Sequence, residues 1–136
     1  MTDYRLVERL PTVAEYRDLR RLSGLSEKSP EAAERGLPAT LFAVVIEADG
    51  GPVGMGRVIG DGGTAYQVVD IAVLPPHQGQ GLGKRIVAAL VDWLRATAPK
   101  SAYVSLIADG PAKDLYAQYG FEPTAPASIG MAFKIK

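Results

Sequence analysis

Apolar and polar positions change period partway along this chain. Leu41 to Glu47, Pro52 to Ile59 and Tyr66 to Leu74 are short, largely apolar runs bounded by turn residues, and each reads as a strand. Asp49-Gly50 between the first two predicts a hairpin, and Gly60-Asp61-Gly62-Gly63 makes the next turn. From Leu82 the period becomes helical, with Leu82, Ile86, Leu90, Trp93 and Leu94 on one inward face. That helix stops before Pro99, since the residue ahead of a proline disfavours helix. Ser101 to Ala108 predicts a further strand, and Pro111 to about Tyr119 a helix with Gly120 as its stop. Met131 to Ile135 predicts a strand closing the sheet.

The amino-terminal part is plainer. Tyr4 to Val7 predicts a short strand. Thr12, with Glu15 as its capping-box partner, opens a helix running to about Leu22. Ser29-Pro30-Glu31 opens a second, shorter helix ending near Gly36. Hairpins first, then strands alternating with helices, imply an α/β (α+β) fold: a mixed sheet with helices on both faces. At 136 residues a single domain spanning residues 1–136 is expected.

Composition narrows the chemistry. Fifteen Lys and Arg balance fifteen Asp and Glu, which gives no electrostatic reason to expect nucleic acid or an anionic membrane as partner. No run approaches a membrane span, and no apolar run follows the first residues as in a secretory signal. The chain has no cysteine, so disulfides, thiolate metal sites and a cysteine nucleophile are excluded together. One histidine and scattered carboxylates without ligand spacing predict no metal site. A cytoplasmic protein is the simplest expectation.

The candidate chemistry starts at Gln78-Gly79-Gln80-Gly81-Leu82-Gly83-Lys84, a glycine-rich turn between an apolar strand and a helix. Such a turn brings backbone N–H groups to a ligand at the positive end of the helix dipole, where phosphate is the natural occupant. A P-loop is excluded, because Gln78 stands where its first glycine belongs and Arg85 replaces the magnesium-binding hydroxyl. A dinucleotide fingerprint fails at Lys84, where the third glycine belongs. The letters fit Gln-x-x-Gly-x-Gly, read as Gln78, Gly81 and Gly83.

With that motif, the chain resembles the GCN5-related N-acetyltransferase (GNAT) superfamily, whose acetyl-CoA pyrophosphate loop reads Gln/Arg-x-x-Gly-x-Gly/Ala. Val68 to Pro75 resembles the family's strand leading to the loop. Ala112-x-x-Leu115-Tyr116-x-x-x-Gly120-Phe121 resembles its second signature. The resemblance covers Leu41 to Phe121. It implies a mostly antiparallel sheet of about six to seven strands and acetyl-CoA as cofactor, with homodimers common. It also implies that Gln78 through Lys84 bind the pyrophosphate through backbone N–H groups. The strand at Ile71, Ala72 and Val73 would splay from its neighbour to pair with the pantetheine arm, with an N–H near Val73 holding the oxyanion. Tyr116 matches the family's general acid. Asp109 stands where relatives carry a cofactor-contacting asparagine, and keeps only the acceptor.

Asp70 is a charge in an apolar strand beside the expected thioester site. A primary amine is mostly protonated at neutral pH, with about one molecule in a thousand ready to attack, so a proton acceptor is needed. Three roles stay open for Asp70: counter-ion to the amine, proton acceptor through water, or partner of an arginine. Gln67 occupies the position where some protein-lysine members carry a glutamate, and cannot act as a base. Asp61 and Tyr66 are expected near the mouth of the acceptor cleft. His77, just before the loop, is expected at its surface. The function expected is acetyl transfer to a primary amine of a small molecule. A protein acetyltransferase and a non-catalytic acyl-CoA sensor are the alternatives.

Overall fold

Asp49 and Gly50 both take positive φ, 53° and 80°, and close the hairpin between strands β2 (Phe42–Ala48) and β3 (Gly51–Gly60). This hairpin is the centre of a five-stranded sheet, ordered β1-β2-β3-β4-β5, in a computed structural model that describes residues 2–136. β1 (Arg5–Val7) and β4 (Ala65–Val73) flank the hairpin antiparallel, and β5 (Tyr103–Ser105) adds to β4 in parallel. The sheet is mixed and mostly antiparallel, as expected. Five strands stand where six to seven were expected. The segment 131–135 is not a strand, having no backbone ladder, and the strand expected over 101–108 pairs only at Tyr103–Ser105.

Helices cover both faces of the sheet. Thr12 and Glu15 form the expected capping box of α1 (Val13–Leu22), and Ser29 caps α2 (Pro30–Gly36). Tyr16 and Leu19 of α1, Ala33 of α2 and the adjoining Leu37 pack with Met55 and Ala72 on one face. On the other, Ile86 and Leu90 of α3 (Leu82–Thr97) lie over Gly54 and Gly56. A side chain at Gly56 would place its Cβ 2.6 Å from Ile86 Cγ2, so glycine there sets how closely α3 approaches β3. Trp93 stacks on Phe42 with centroids 5.1 Å apart, as its inward position predicts.

By its internal contacts the chain divides into two compact units, Met1–Leu106 and Ile107–Lys136. The first holds the whole sheet and α1 to α3. The second holds α4 (Ala112–Ala117) and the segment that follows it.

Candidate active site

The site begins with a fault in the β3–β4 ladder. Gly54 pairs Val73 and Met55 pairs Ala72, but Arg57 then pairs Val69, so Asp70 and Ile71 together oppose Gly56 alone. One extra residue makes a β-bulge, which bends a strand and increases its twist. Asp70 accommodates it at φ 58°, in the left-handed region. On the far edge of β4, β5 pairs only Ala65 to Gln67. Past that point no strand among the described residues pairs with the β5-side edge of β4, as far as Val73.

The open edge has a definite polarity. Leu74 N–H donates to Val53 O at 2.8 Å, and antiparallel alternation then turns the polar groups of Val73 away from β3. Gln78 Nε2 accordingly donates to Val73 O at 2.9 Å from that side. The Val73 N–H faces the same edge.

The turn after β4 is a 3₁₀ segment, Pro75–His77. Gln78 N–H donates to Pro75 O at 3.2 Å, which closes this segment and corrects the expectation that this amide belongs to the anion cradle. Gln78 contributes through its side chain, which ties the loop to the end of β4. Gly79 and Gly81 take φ of 78° and 77°, and no atom lies within 4 Å of where a Cβ would stand. Backbone conformation, not crowding, requires glycine at both. The first bond closing α3 runs from Arg85 N–H to Gly81 O. The amides of Gly79, Gln80, Gly81, Leu82 and Gly83 therefore come ahead of the helix's own hydrogen bonding, at its positive end. Leu82 is buried and anchors this turn, while Gln80 and Lys84 are exposed.

Asp70 sits in a buried ionic cluster, its side chain 6% exposed. Arg20 Nη1 donates to Oδ1 at 2.5 Å; Arg57 Nε and the Tyr16 hydroxyl donate to Oδ2 at 2.7 and 3.0 Å. Of the three roles open to this carboxylate, the arginine partnership is the one its geometry displays. Three of the carboxylate's acceptor sites are thereby taken, one on Oδ1 and two on Oδ2. Burial, and next the charge of Asp70, raise the Tyr16 phenol above its ordinary range, so it stays a donor. Arg20, Arg57 and Tyr16 were not among the candidates from sequence, although Arg57 interrupts an apolar strand just as Asp70 does.

One expected acceptor contact, Tyr66, is corrected. Tyr66 is buried, with its ring edge-on to Trp93, and has no open surface for a substrate. Asp61 organises the β3–β4 turn: Oδ1 accepts from the amides of Gly63, Thr64 and Ala65, and Oδ2 from the Thr64 hydroxyl. The Thr64 hydroxyl, and then the Gly63 and Ala65 amides, hold its carboxyl well below the usual range. His77 Nδ1 bonds the Tyr4 hydroxyl at 2.9 Å beside the loop.

In the second unit, Tyr116 lies on α4 with its ring edge-on to Phe121, 6.2 Å between centroids. Burial, and next the charge of Asp109, raise its phenol above the ordinary value. The Asp109 carbonyl accepts from Ala112 N–H at 3.2 Å as the chain enters α4.

The acetyltransferase (GNAT) domain model matches residues 39–123, well over half of the chain. The chain belongs to the GNAT acetyltransferase family. A probable acetyltransferase of unknown function from meticillin-resistant Staphylococcus aureus is 47% identical, with a TM-score of 0.93 over 98% of this chain and 100% of that one. The GCN5-related N-acetyltransferase 2, chloroplastic, of Arabidopsis thaliana is 38% identical over 80 residues, 58% of this chain. This GNAT chain spans 30% of that relative's length. A GNAT family acetyltransferase from Brucella melitensis, in complex with acetyl-CoA, shares the fold at 21% identity, with a TM-score of 0.64 over 88% of this chain and 83% of that one.

Acetyl-CoA is the cofactor of the GNAT family, and the residues here fit it. Two glycines at positive φ present a run of amides at a helix start, and a strand edge stands open beside them with an N–H available at Val73. A diphosphate suits the first and an amide-bearing arm the second.

Proposed function

We propose that this GNAT chain transfers an acetyl group from acetyl-CoA to the primary amine of a small molecule, by direct transfer in a ternary complex. The observation carrying this reading is the open β4 edge leading into the amide-lined turn at Gly79–Gly83. The amides of Gly79, Gln80, Gly81, Leu82 and Gly83 hold the diphosphate, and Lys84 adds positive charge nearby. The backbone of Ile71, Ala72 and Val73 receives the pantetheine arm as an added strand would. Bound there, the cofactor supplies a thioester-activated acetyl group. The Val73 N–H binds the thioester carbonyl oxygen, where a preorganised donor is worth most. The Tyr116 hydroxyl holds the proton for the departing thiolate, and its raised pKa keeps that proton in place at neutral pH. Asp109 approaches the cofactor arm as an acceptor. Asp70 acts as a positioning residue, fixing the bulge that opens the edge, and leaves the amine's proton to water.

Several features support the wider reading. The family match at residues 39–123 runs through both compact units, which favours their acting as one domain. A cavity of about 210 Å³ beside the Asp70 cluster has small-molecule dimensions. The absence of cysteine suits the cytoplasm. Large apolar side chains exposed along residues 129–135 favour a homodimer.

The test is thiol release from acetyl-CoA against pooled amines: polyamines, amino sugars, amino acids, arylalkylamines and lysine peptides. Turnover is expected with a small-molecule pool, and Tyr116→Phe is expected to lower kcat about 100-fold. Turnover confined to peptides would make it a protein acetyltransferase. Acetyl-CoA binding without turnover in any pool would make it a sensor.

A further inference from the structure

The cavity beside the Asp70 cluster has a charge that the transfer reaction does not require. It lies on the α1/α2 side of the sheet, bounded by Tyr16, Ala33, Leu37, Lys28 and Arg57. Its volume of about 210 Å³ corresponds to roughly seven water molecules, room for a small polar group and a short chain. No carboxylate lines it. Asp70 is shared between Arg20 and Arg57, so this cluster carries one positive charge in excess. Lys28 adds a second, and among the described residues its ammonium pairs with no carboxylate.

The two cations are presented differently. Each guanidinium nitrogen of Arg20 has a partner: Nε and Nη2 donate to the Ser26 carbonyl and hydroxyl, and Nη1 to Asp70. Arg57 is 8% exposed and donates through Nε to Asp70 and through Nη1 to the Thr40 hydroxyl at 2.5 Å. Its Nη2 donates to no protein acceptor among the described residues. Among the described residues no fully buried side-chain nitrogen or oxygen lacks a partner, so Nη2 keeps some accessible surface, and Arg57 lines the cavity. A buried guanidinium with a free donor favours an anionic acceptor, because charge-assisted bonds are strongest where water is sparse. The loop carrying Lys28 is tied to α1: Arg17 Nε donates to the Lys28 carbonyl at 2.9 Å, and Arg20 pins Ser26 two residues earlier.

We propose that this cavity receives an acidic group of the acceptor, so that the substrate is a small amine that also carries a carboxylate or a phosphate, held by Arg57 Nη2 and the Lys28 ammonium. This rests on the transferase reading for the word acceptor, but the anion site itself does not. The test is therefore equilibrium binding, measured by calorimetry on the full chain with CoA present. Matched pairs are used: amino acids against their amides, and amino-alcohol phosphates against the parent amino alcohols. The anionic member of at least one pair is expected to bind ten or more times tighter, and the arm that responds distinguishes carboxylate from phosphate. Lys28→Ala is expected to remove about tenfold of that preference while leaving the neutral partner's affinity unchanged, and Lys28→Glu to abolish it. Among the described residues the Lys28 side chain bonds to none, so both variants are expected to keep the wild-type melting temperature. Equal binding of both members in every pair would overturn the proposal. So would a preference insensitive to both Lys28 variants. Thiol release that favours neutral amines would overturn the anion site while leaving the transferase reading intact. Anion-selective binding without thiol release from any amine would do the reverse.

Discussion

Asp70 shows how much one side chain can organise. Its backbone occupies the left-handed region that forms the β4 bulge, and its carboxylate binds two guanidiniums and a phenol contributed by α1 and β3. Removing one partner from a buried ionic cluster leaves charge uncompensated, which costs about 3–5 kcal/mol. Asp70→Asn is therefore expected to lower the melting temperature by roughly 10 °C or more, measured by calorimetric scanning. It is also expected to weaken acetyl-CoA binding, since the bulge opens the edge that receives the arm. Unchanged melting would show that the cluster is not a fixed part of the fold. Tyr116 gives a second residue-scale expectation. Burial, then the charge of Asp109, raise its pKa above the ordinary 10.0. The neutral phenol is the form the fold favours, so this contribution to stability is present below pH 10 and lost as pH rises through the higher folded value. The phenolate absorbance that disappears in Tyr116→Phe is expected to titrate above pH 10, and Asp109→Asn to move that titration downward.

At the scale of elements, legibility in the sequence followed from periodicity. The α3 face, the capping box at Thr12 and Glu15, and the Asp49-Gly50 hairpin are local patterns with one physical solution each, and all are present. The bulge was not legible, because Val68 to Val73 reads as one apolar run and an aspartate at positive φ leaves no mark in it. Tyr66 misled for the opposite reason. It is expected near the mouth of the acceptor cleft, while its place in the strand sends the ring into the core beside Trp93. Gly56 carries a constraint that only three dimensions reveal. A methyl group there meets Ile86 Cγ2 at 2.6 Å and Leu90 Cδ1 at 3.0 Å, and Ile86 is too stiff at its branched Cβ to withdraw easily. Gly56→Ala is expected to destabilise the protein by about 1–3 kcal/mol, read from a denaturant titration. A neutral outcome would mean that α3 can lift from the sheet without cost.

For the molecule as a whole, the open question of energetics lies in the last residues. Ile129, Met131, Phe133 and Ile135 alternate with small or charged residues, the pattern of a half-buried strand, yet they are 70%, 86%, 90% and 84% exposed. Four large apolar side chains so exposed within seven residues favour an interaction site in a protein that stays dispersed in water. Burying four large apolar side chains supplies roughly 6–12 kcal/mol, comparable to the rigid-body cost of association. Backbone pairing then decides the balance, and β5, as the last strand of the sheet, offers an unpaired edge to a second copy. Reciprocal exchange of residues 129–135 between two copies satisfies both requirements with one two-fold operation. Sedimentation is expected to show a dimer at micromolar concentration, and Phe133→Asp a monomer. A wild-type chain that sediments as a monomer at roughly a hundred times that concentration would rule out this exchange, because the apolar stripe would then be stable in water without a partner.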